Sequence, residues 1–204
     1  MSELSTAGYP QRLAALPGPD RRLLRSMAAA SLLALALGIL GGLLTALARA
    51  GFLDVVPEAG YRYLTVHGVS VFFYWLFVAQ AALLLAFSAT ESERGLVGRR
   101  AAWSGFALMA AGFVASMAGS HTGTPLLYDG SPELGADSPA GLLAFNAGYL
   151  LLGLGLMVLP ASAIATLLAP RRDGRAERLG AIGFALFAWA GFLIVTGFAM
   201  LYAF

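Results

Sequence analysis

One histidine stands inside a long apolar stretch of this sequence, and it has the clearest capacity for chemistry. His67 lies in the segment Tyr61-Arg-Tyr-Leu-Thr-Val-His-Gly-Val-Ser-Val-Phe-Phe-Tyr-Trp-Leu76. A charged side chain at membrane depth costs about 2–3 kcal/mol on insertion scales. A neutral imidazole there is usually stabilised either by a hydrogen bond to a neighbouring helix or by a metal ion. Residue type alone favours the hydrogen bond.

An α-helix through this segment would place other residues on the same face as His67. Tyr63, Val71 and Tyr74 stand at offsets of four and seven residues, which bring side chains to one face of an α-helix. Gly68 removes a side chain beside the histidine and leaves room for a flat macrocycle. Lipid contact and core packing explain the aromatic residues of this segment equally well. If a heme binds here, we expect these five residues to form its site, with His67 as the metal ligand.

A bis-histidine heme needs a second axial imidazole on a facing helix. His121 is the only other histidine, and it lies in Ser120-His-Thr-Gly-Thr-Pro125, at the predicted outer end of the third helix. His67 is expected about 8–10 Å below the outer boundary, at about 1.5 Å per residue, so pairing the two is geometrically unfavourable. A solvent-facing histidine is the simpler interpretation of His121.

Membrane-spanning helices must position these residues. Of the 204 residues, 59% are hydrophobic and 12% are charged, against about 25% charged in a soluble domain. Five apolar stretches reach the length of about 20 residues that crosses a bilayer, where the backbone must be paired within helices. These stretches are Met27–Ala48, Tyr63–Ala89, Ala101–Gly119, Ala140–Ala169 and Leu179–Phe204. The sequence predicts an all-α integral membrane bundle of five transmembrane helices over residues 23–204, preceded by an irregular cytoplasmic tail over residues 1–22.

The basic residues predict the orientation of the bundle. All 13 are arginines, and most of them lie in the N-terminal segment, the second-to-third loop and the fourth-to-fifth loop. Because positively charged loops stay inside, we expect a cytoplasmic N-terminus and an outer C-terminus. The third-to-fourth loop instead carries Asp129, Glu133 and Asp137. These acids could attract a basic electron donor, although a solvated loop is the simpler interpretation.

Several classes of site and processing are disfavoured. The absence of cysteine excludes disulfides and thiolate metal sites. No phosphate-binding loop, Ser-His-Asp set or mid-membrane acidic residue is found in the sequence. Ala48-Arg49-Ala50 resembles a signal-peptidase site, but the apolar tract before it is longer than the roughly 7–15 residues of a signal peptide. We therefore expect the first helix to be retained as an anchor.

Polar and small residues inside the apolar stretches predict helix packing. We expect the amides of Gln80 and Asn146 to form hydrogen bonds between helices. Gly38 and Gly42 form a GxxxG pair in the first stretch, and further glycines occur in the fourth. Small residues allow helices to approach closely in lipid, and packing within this bundle explains them better than a dimerisation motif.

Three segments carry a resemblance to a known family. Leu64-Thr-Val-His-Gly68 and Phe77-Val-Ala-Gln-Ala-Ala-Leu-Leu-Leu85 resemble the second helix of subunit I of the B-family heme-copper oxidases, which include cytochrome c oxidases. Thr124-Pro-Leu-Leu-Tyr-Asp-Gly-Ser-Pro-Glu-Leu134 resembles an outer loop of the same subunit. The resemblance covers nearly the whole chain, but only the first five of about twelve helices in that family.

The resemblance implies that His67 is one axial ligand of a low-spin heme b, and that the chain sits in a bacterial or archaeal cell membrane. It also implies electron transfer from cytochrome c or a quinol to oxygen, coupled to proton movement. The second heme ligand, the copper ligands and the high-spin heme ligand belong to later helices of the family. No histidine remains here for those roles, so we expect no copper site in this chain and no oxygen reduction by it alone.

Three interpretations of that shortfall stay open. The chain is the N-terminal piece of a split catalytic subunit, a truncated product, or a derived relative with a structural role. In the first case a partner subunit carries the remaining helices and histidines. A non-catalytic scaffold or assembly subunit that binds no heme is the main alternative function. A small transporter is disfavoured because paired broken helices and midplane charges are missing from the sequence.

Overall fold

The described part of the chain consists mainly of helices. The computed structural model describes residues 8–93, 95–122, 138–174 and 180–203, and no strand occurs within these ranges. The elements are α1 (Tyr9–Ala14), α2 (Gly18–Arg49), α3 (Pro57–Gly68), a π-helical segment (Val69–Trp75), α4 (Leu76–Glu91), α5 (Arg99–Ser120), α6 (Pro139–Arg172) and α7 (Ala181–Ala203).

Five of the helical rods are long and apolar enough to cross a membrane. They are α2, the continuous rod from Pro57 to Glu91, α5, α6 up to Pro170, and α7. This confirms the predicted all-α bundle of five membrane-spanning helices. The predicted direction of insertion stays a prediction. The acidic third-to-fourth loop, the resembling segment within it, and the arginines at positions 94, 175 and 178 lie outside the described residues.

The expectation of an irregular tail was wrong for its described part, residues 8–22. A short helix, α1, and the first turn of α2 lie here, and each begins with a proline in its first turn, where the missing N–H needs no partner. Leu16 is buried, and the Tyr9 ring lies 4.8 Å from the Phe87 ring. Burial raises the pKa of the Tyr9 phenol, and a hydrogen bond with Thr90 opposes that shift. No apolar run in residues 8–22 is long enough to predict this packing.

A buried carboxylate fastens the start of α2 to the α4–α5 connection. Asp20 is fully buried, accepts a hydrogen bond from the Leu96 N–H at 2.9 Å, and forms an ion pair with Arg99. From the other side, the Val97 N–H donates to Thr166 Oγ1 of α6 at 3.0 Å. Side chains of α2 and α6 therefore hold this connection in place.

The α5–α6 pair forms the tightest helix contact of the bundle. Glycines recur at seven-residue intervals on both helices: Gly105, Gly112 and Gly119 on α5, and Gly141, Gly148 and Gly155 on α6. A Cβ atom on Gly112 would lie 2.6 Å from the carbonyl oxygen of Gly148. The two backbones are thus in direct contact, as small residues permit in membrane bundles. α6 also packs against α4 and α7.

Candidate functional site

The candidate site lies where α3 packs against glycines of α2. A Cβ atom on Gly41 would lie 2.9 Å from the carbonyl oxygen of Tyr63, so the two backbones touch there. A Cβ atom on Gly42 would instead lie 2.8 Å from Nδ1 of His67. The missing side chain of Gly42 is therefore what makes room for the imidazole ring. This seam, formed by Gly38, Gly41 and Gly42 with α3, confirms that the GxxxG pair serves packing within the bundle.

The imidazole of His67 has one nitrogen engaged and one unused. Nδ1 lies 2.8 Å from the carbonyl oxygen of Gly38. A carbonyl oxygen only accepts, so in the neutral ring Nδ1 carries the proton and donates it. Nε2 then carries the lone pair, and it has no hydrogen-bond partner among the described residues. The His67 ring is partly buried.

This arrangement is compatible with both roles that the sequence left open for His67. The interhelical hydrogen bond expected of a packing histidine is present. Metal-binding histidines, however, commonly donate their second ring N–H to a backbone carbonyl, which fixes the tautomer and orients the ring. The bond to Gly38 therefore suits both interpretations, and it leaves Nε2 in the form that binds a metal.

Two of the other predicted site residues share the His67 face. Tyr63 stands one turn before His67 and meets Gly41 through its backbone. Val71 stands one turn after it, and its side chain occupies the space that a Cβ atom on Gly38 would take. Gly68 is buried within the same rod. His67, Tyr63 and Val71 thus follow one seam, as helical spacing predicted.

Tyr74 lies on a different face of the rod. Its hydroxyl donates to the carbonyl oxygen of Gly148 at 3.0 Å and lies 3.2 Å from Ser116 Oγ, so it points between α5 and α6. Tyr74 lies within the π-helical segment Val69–Trp75, which begins two residues after His67. A π-helical turn contains more residues than an α-helical turn, so a seven-residue offset no longer returns to the same face. The shared stripe that α-helical spacing predicted therefore does not extend to Tyr74.

The second histidine is placed away from this seam. His121 follows the last turn of α5 and is exposed, and its Nδ1 lies 2.8 Å from the carbonyl oxygen of Met117. Its exposure agrees with the expectation of a solvent-facing residue. No described contact brings it to His67.

The two amides inside the apolar helices, Gln80 and Asn146, have different surroundings. Gln80 Oε1 accepts a hydrogen bond from Trp189 Nε1 of α7 at 3.2 Å, which confirms the predicted bond between helices. Asn146 Oδ1 on α6 is buried and has no partner among the described residues. The prediction was thus correct for Gln80, whereas the Asn146 oxygen lacks the expected bond.

The donor set suits a heme iron better than a bare metal ion. Among the described residues, no group of three His, Cys, Asp or Glu side chains could hold a metal ion. A porphyrin supplies four nitrogen ligands itself, so the protein contributes only axial ligands. A single histidine whose Nε2 has no partner among the described residues could fill one of these positions.

Sequence reasoning found His67 but missed the features that orient it. The π-helical segment consists mostly of valines and aromatic residues, and this composition does not distinguish it from an α-helix in a membrane. The role of the Gly38 carbonyl depends on the helix–helix register, which the sequence does not state. The spacing of Gly38 and Gly42 did signal a close helix contact, although without its partner.

Comparison with known protein families agrees with the membrane-spanning fold. The sequence model of the family "Cytochrome C and Quinol oxidase polypeptide I" matches residues 22–204. No curated protein and no solved structure gives a significant match. The family match covers every predicted membrane span and the seam that holds His67. The chain therefore belongs to the cytochrome c and quinol oxidase polypeptide I family, that of heme-copper oxidase subunit I.

Proposed function

We propose that this chain is a heme-associated subunit, or the N-terminal section, of a respiratory heme-copper-type oxygen reductase. In this proposal His67 is one axial ligand of a low-spin heme b. The unpartnered Nε2 of His67, with Nδ1 held by the Gly38 carbonyl, is the observation that supports it most directly. Family membership supports the wider assignment to an oxidase complex in a membrane.

Each residue of the proposed site has a distinct task. The Gly38 carbonyl keeps the proton of His67 on Nδ1 and keeps Nε2 available. Gly42 leaves the space that the ring occupies, and Tyr63 and Val71 pack against α2 on either side of it. Gly68 adds no side chain beside the ligand. Replacing Gly42 or Gly38 would therefore disturb the ligand without removing it.

Tyr74 stabilises the rod from a different face. Its two polar contacts bind the rod to α5 and α6. We assign it a structural task, which replaces the direct heme contact expected from helical spacing.

The heme, when bound, supplies one-electron transfer between its ferric and ferrous states. We assign the second axial ligand and the copper-containing oxygen-reducing centre to a partner chain with the remaining helices and histidines. Cytochrome c or a quinol would donate the electrons, and proton movement would accompany their transfer to oxygen. The membrane would be the cell membrane of a bacterium or an archaeon.

A non-catalytic scaffold without heme is the second candidate. It is favoured by the same hydrogen bond, because the Gly38 carbonyl alone offsets part of the cost of burying a histidine. In that case His67 would stabilise the α2–α3 contact and nothing more.

Reduced-minus-oxidised optical spectra separate the two candidates. The membrane complex containing this chain would be purified as wild type, His67→Ala and His121→Ala. We expect a low-spin b-type α-band in the wild type and in His121→Ala, and its loss in His67→Ala. His121→Ala is a matched control because it removes the other histidine from an exposed position. An intact wild-type complex without a heme band would favour the scaffold.

A further inference from the structure

Two arginines and a tryptophan meet where α2 and α5 begin. Arg22 and Arg25 are exposed on the first turns of α2, three residues apart, so they share a helix face. Neither guanidinium has a hydrogen-bond or ionic partner among the described residues. Trp103 of α5 lies beside them and is 38% exposed. These cations therefore face solvent without a carboxylate to neutralise them.

The three side chains line one cavity. Its volume is about 530 Å³, and its lining comprises Pro19, Arg22, Arg25, Ser26 and Trp103. Two guanidinium groups and the Ser26 hydroxyl are donors suited to phosphate oxygens, since arginine binds phosphate with paired N–H donors. We propose that this cavity binds the phosphate group of an anionic membrane lipid.

The surrounding charges leave the cavity positive. Asp20 is the nearest acidic residue along α2, but its carboxylate is buried and paired with Arg99. The N-terminal end of α2 adds the positive end of its helix dipole. Arg100, one turn before Trp103, is also exposed. An anion in this cavity would thus meet several positive groups and no competing carboxylate from α2.

The position of the cavity favours a lipid over a soluble phosphate. Ala29 and Leu32 follow Arg25 by four and seven residues, so they continue its helix face into the membrane-spanning part of α2. Both are exposed, Leu32 by 63%, and offer an apolar track for an acyl chain. Tryptophan is enriched at the headgroup level of membranes. Basic pockets between membrane helices are known binding sites for anionic headgroups.

Native mass spectrometry of the full chain in detergent would test this site. The chain would be titrated with phosphatidylglycerol, phosphatidylcholine and inorganic phosphate. Each arginine that contacts the anionic headgroup contributes a factor of about five in affinity, so Arg22→Gln/Arg25→Gln should weaken phosphatidylglycerol binding by about twenty-five-fold. Phosphatidylcholine binding should stay unchanged.

A second double variant controls for net charge. Arg49→Gln/Arg172→Gln removes the same charge from two exposed arginines elsewhere, and phosphatidylglycerol binding should change by less than about two-fold. Arg22→Lys/Arg25→Lys should recover part of the affinity, because lysine keeps the charge but lacks the paired donors. Circular dichroism would verify that each variant keeps its helices.

Two results would overturn the proposal. Equal losses in both glutamine double variants would mean that net charge, and not this cavity, attracts the lipid. Inorganic phosphate that displaces phosphatidylglycerol at equal concentration would mean that the site binds free phosphate and gains nothing from the apolar track.

Discussion

Two helix seams of this bundle are both lined with glycine, yet they fill the resulting space differently. Along the α5–α6 seam, a Cβ atom on Gly112 would meet the backbone of α6. Along the α2–α3 seam, a Cβ atom on Gly42 would meet the imidazole of His67. One seam brings backbone against backbone, and the other makes room for an ionisable ring.

The side chains of Tyr74 and His67 at the two seams differ in how many of their polar atoms form hydrogen bonds. The Tyr74 hydroxyl at the α5–α6 seam is buried and lies within hydrogen-bond distance of two partners. His67 at the α2–α3 seam is partly buried and uses only Nδ1. A polar group with all its bonds made supports structure, whereas one with an unused lone pair can still bind a ligand. The same device, glycine at a helix contact, thus serves stability in one seam and a candidate site in the other.

Among the substitutions that test this comparison, Gly148→Ala should have the largest effect on stability. The new Cβ atom would lie 2.6 Å from the carbonyl oxygen of Gly112 and would also strike Ser116, so the helices must separate. We expect a loss of about 3 kcal/mol in the free energy of unfolding, the upper range for overpacked cores. Equilibrium unfolding in mixed micelles would measure it.

Gly191→Ala on α7 is the matched control for that experiment. A Cβ atom there meets nothing within 4 Å, and alanine favours a helix by about 1 kcal/mol over glycine. Its stability should therefore stay equal or rise. A Gly148→Ala protein as stable as Gly191→Ala would contradict the close α5–α6 contact.

Gly42→Ala should cost less stability but should disturb the candidate site. Its nearest contacts are ring atoms of His67, between 2.8 and 3.3 Å, and a side chain can rotate away where a backbone cannot. We expect a loss of about 1 kcal/mol, the lower range for overpacking, together with a shifted or weakened heme α-band.

Gly60→Ala in α3 controls for helix propensity, because a Cβ atom there meets nothing within 4 Å. Its spectrum should match the wild type. If Gly42→Ala left the spectrum of a heme-containing complex unchanged, the imidazole would not depend on the space beside Gly42.

Tyr74→Phe should have the smallest effect on stability and none on the heme band. It removes the hydroxyl that contacts Gly148 and Ser116, and a hydrogen bond between membrane helices contributes about 0.6 kcal/mol on average. Unfolding experiments and optical spectra on the same samples would measure both properties. Tyr61→Phe, at a side chain 53% exposed, is the control. Loss of the band in Tyr74→Phe but not in Tyr61→Phe would indicate that Tyr74 contributes to heme binding and would contradict its purely structural role.

Composition and periodicity were sufficient to predict the five helices, but not which face of a helix each side chain occupies. An apolar run of about 20 residues crosses a bilayer as an α-helix, so the five spans could be predicted from the sequence. Tyr63, His67 and Val71 share a face because the rod is α-helical up to Gly68. Val71 is only the third residue of the π-helical segment, so the rotation per residue has shifted its direction little. Tyr74 departs because a π-helical segment changes the rotation per residue, and local sequence does not encode that change visibly.

The polar contacts of the bundle show the same limit. Gln80 was expected to bond across helices, but its partner Trp189 depends on how α4 and α7 meet. Asp20 was assigned to a tail, yet it is buried. Its carboxylate binds Leu96 of the α4–α5 connection and Arg99 of α5, which are 76 and 79 residues away in the sequence. Long-range register, rather than residue type, decides such pairs.

The most direct test of His67 as a heme ligand is chemical rescue. His67→Gly would be prepared in the membrane complex that contains this chain, and reduced-minus-oxidised spectra would be recorded with and without added imidazole. If Nε2 of His67 binds the heme iron, the low-spin band is lost in His67→Gly and returns with imidazole, which replaces the missing ligand. A low-spin band that persists in His67→Gly without imidazole would contradict the role of His67 as an axial ligand.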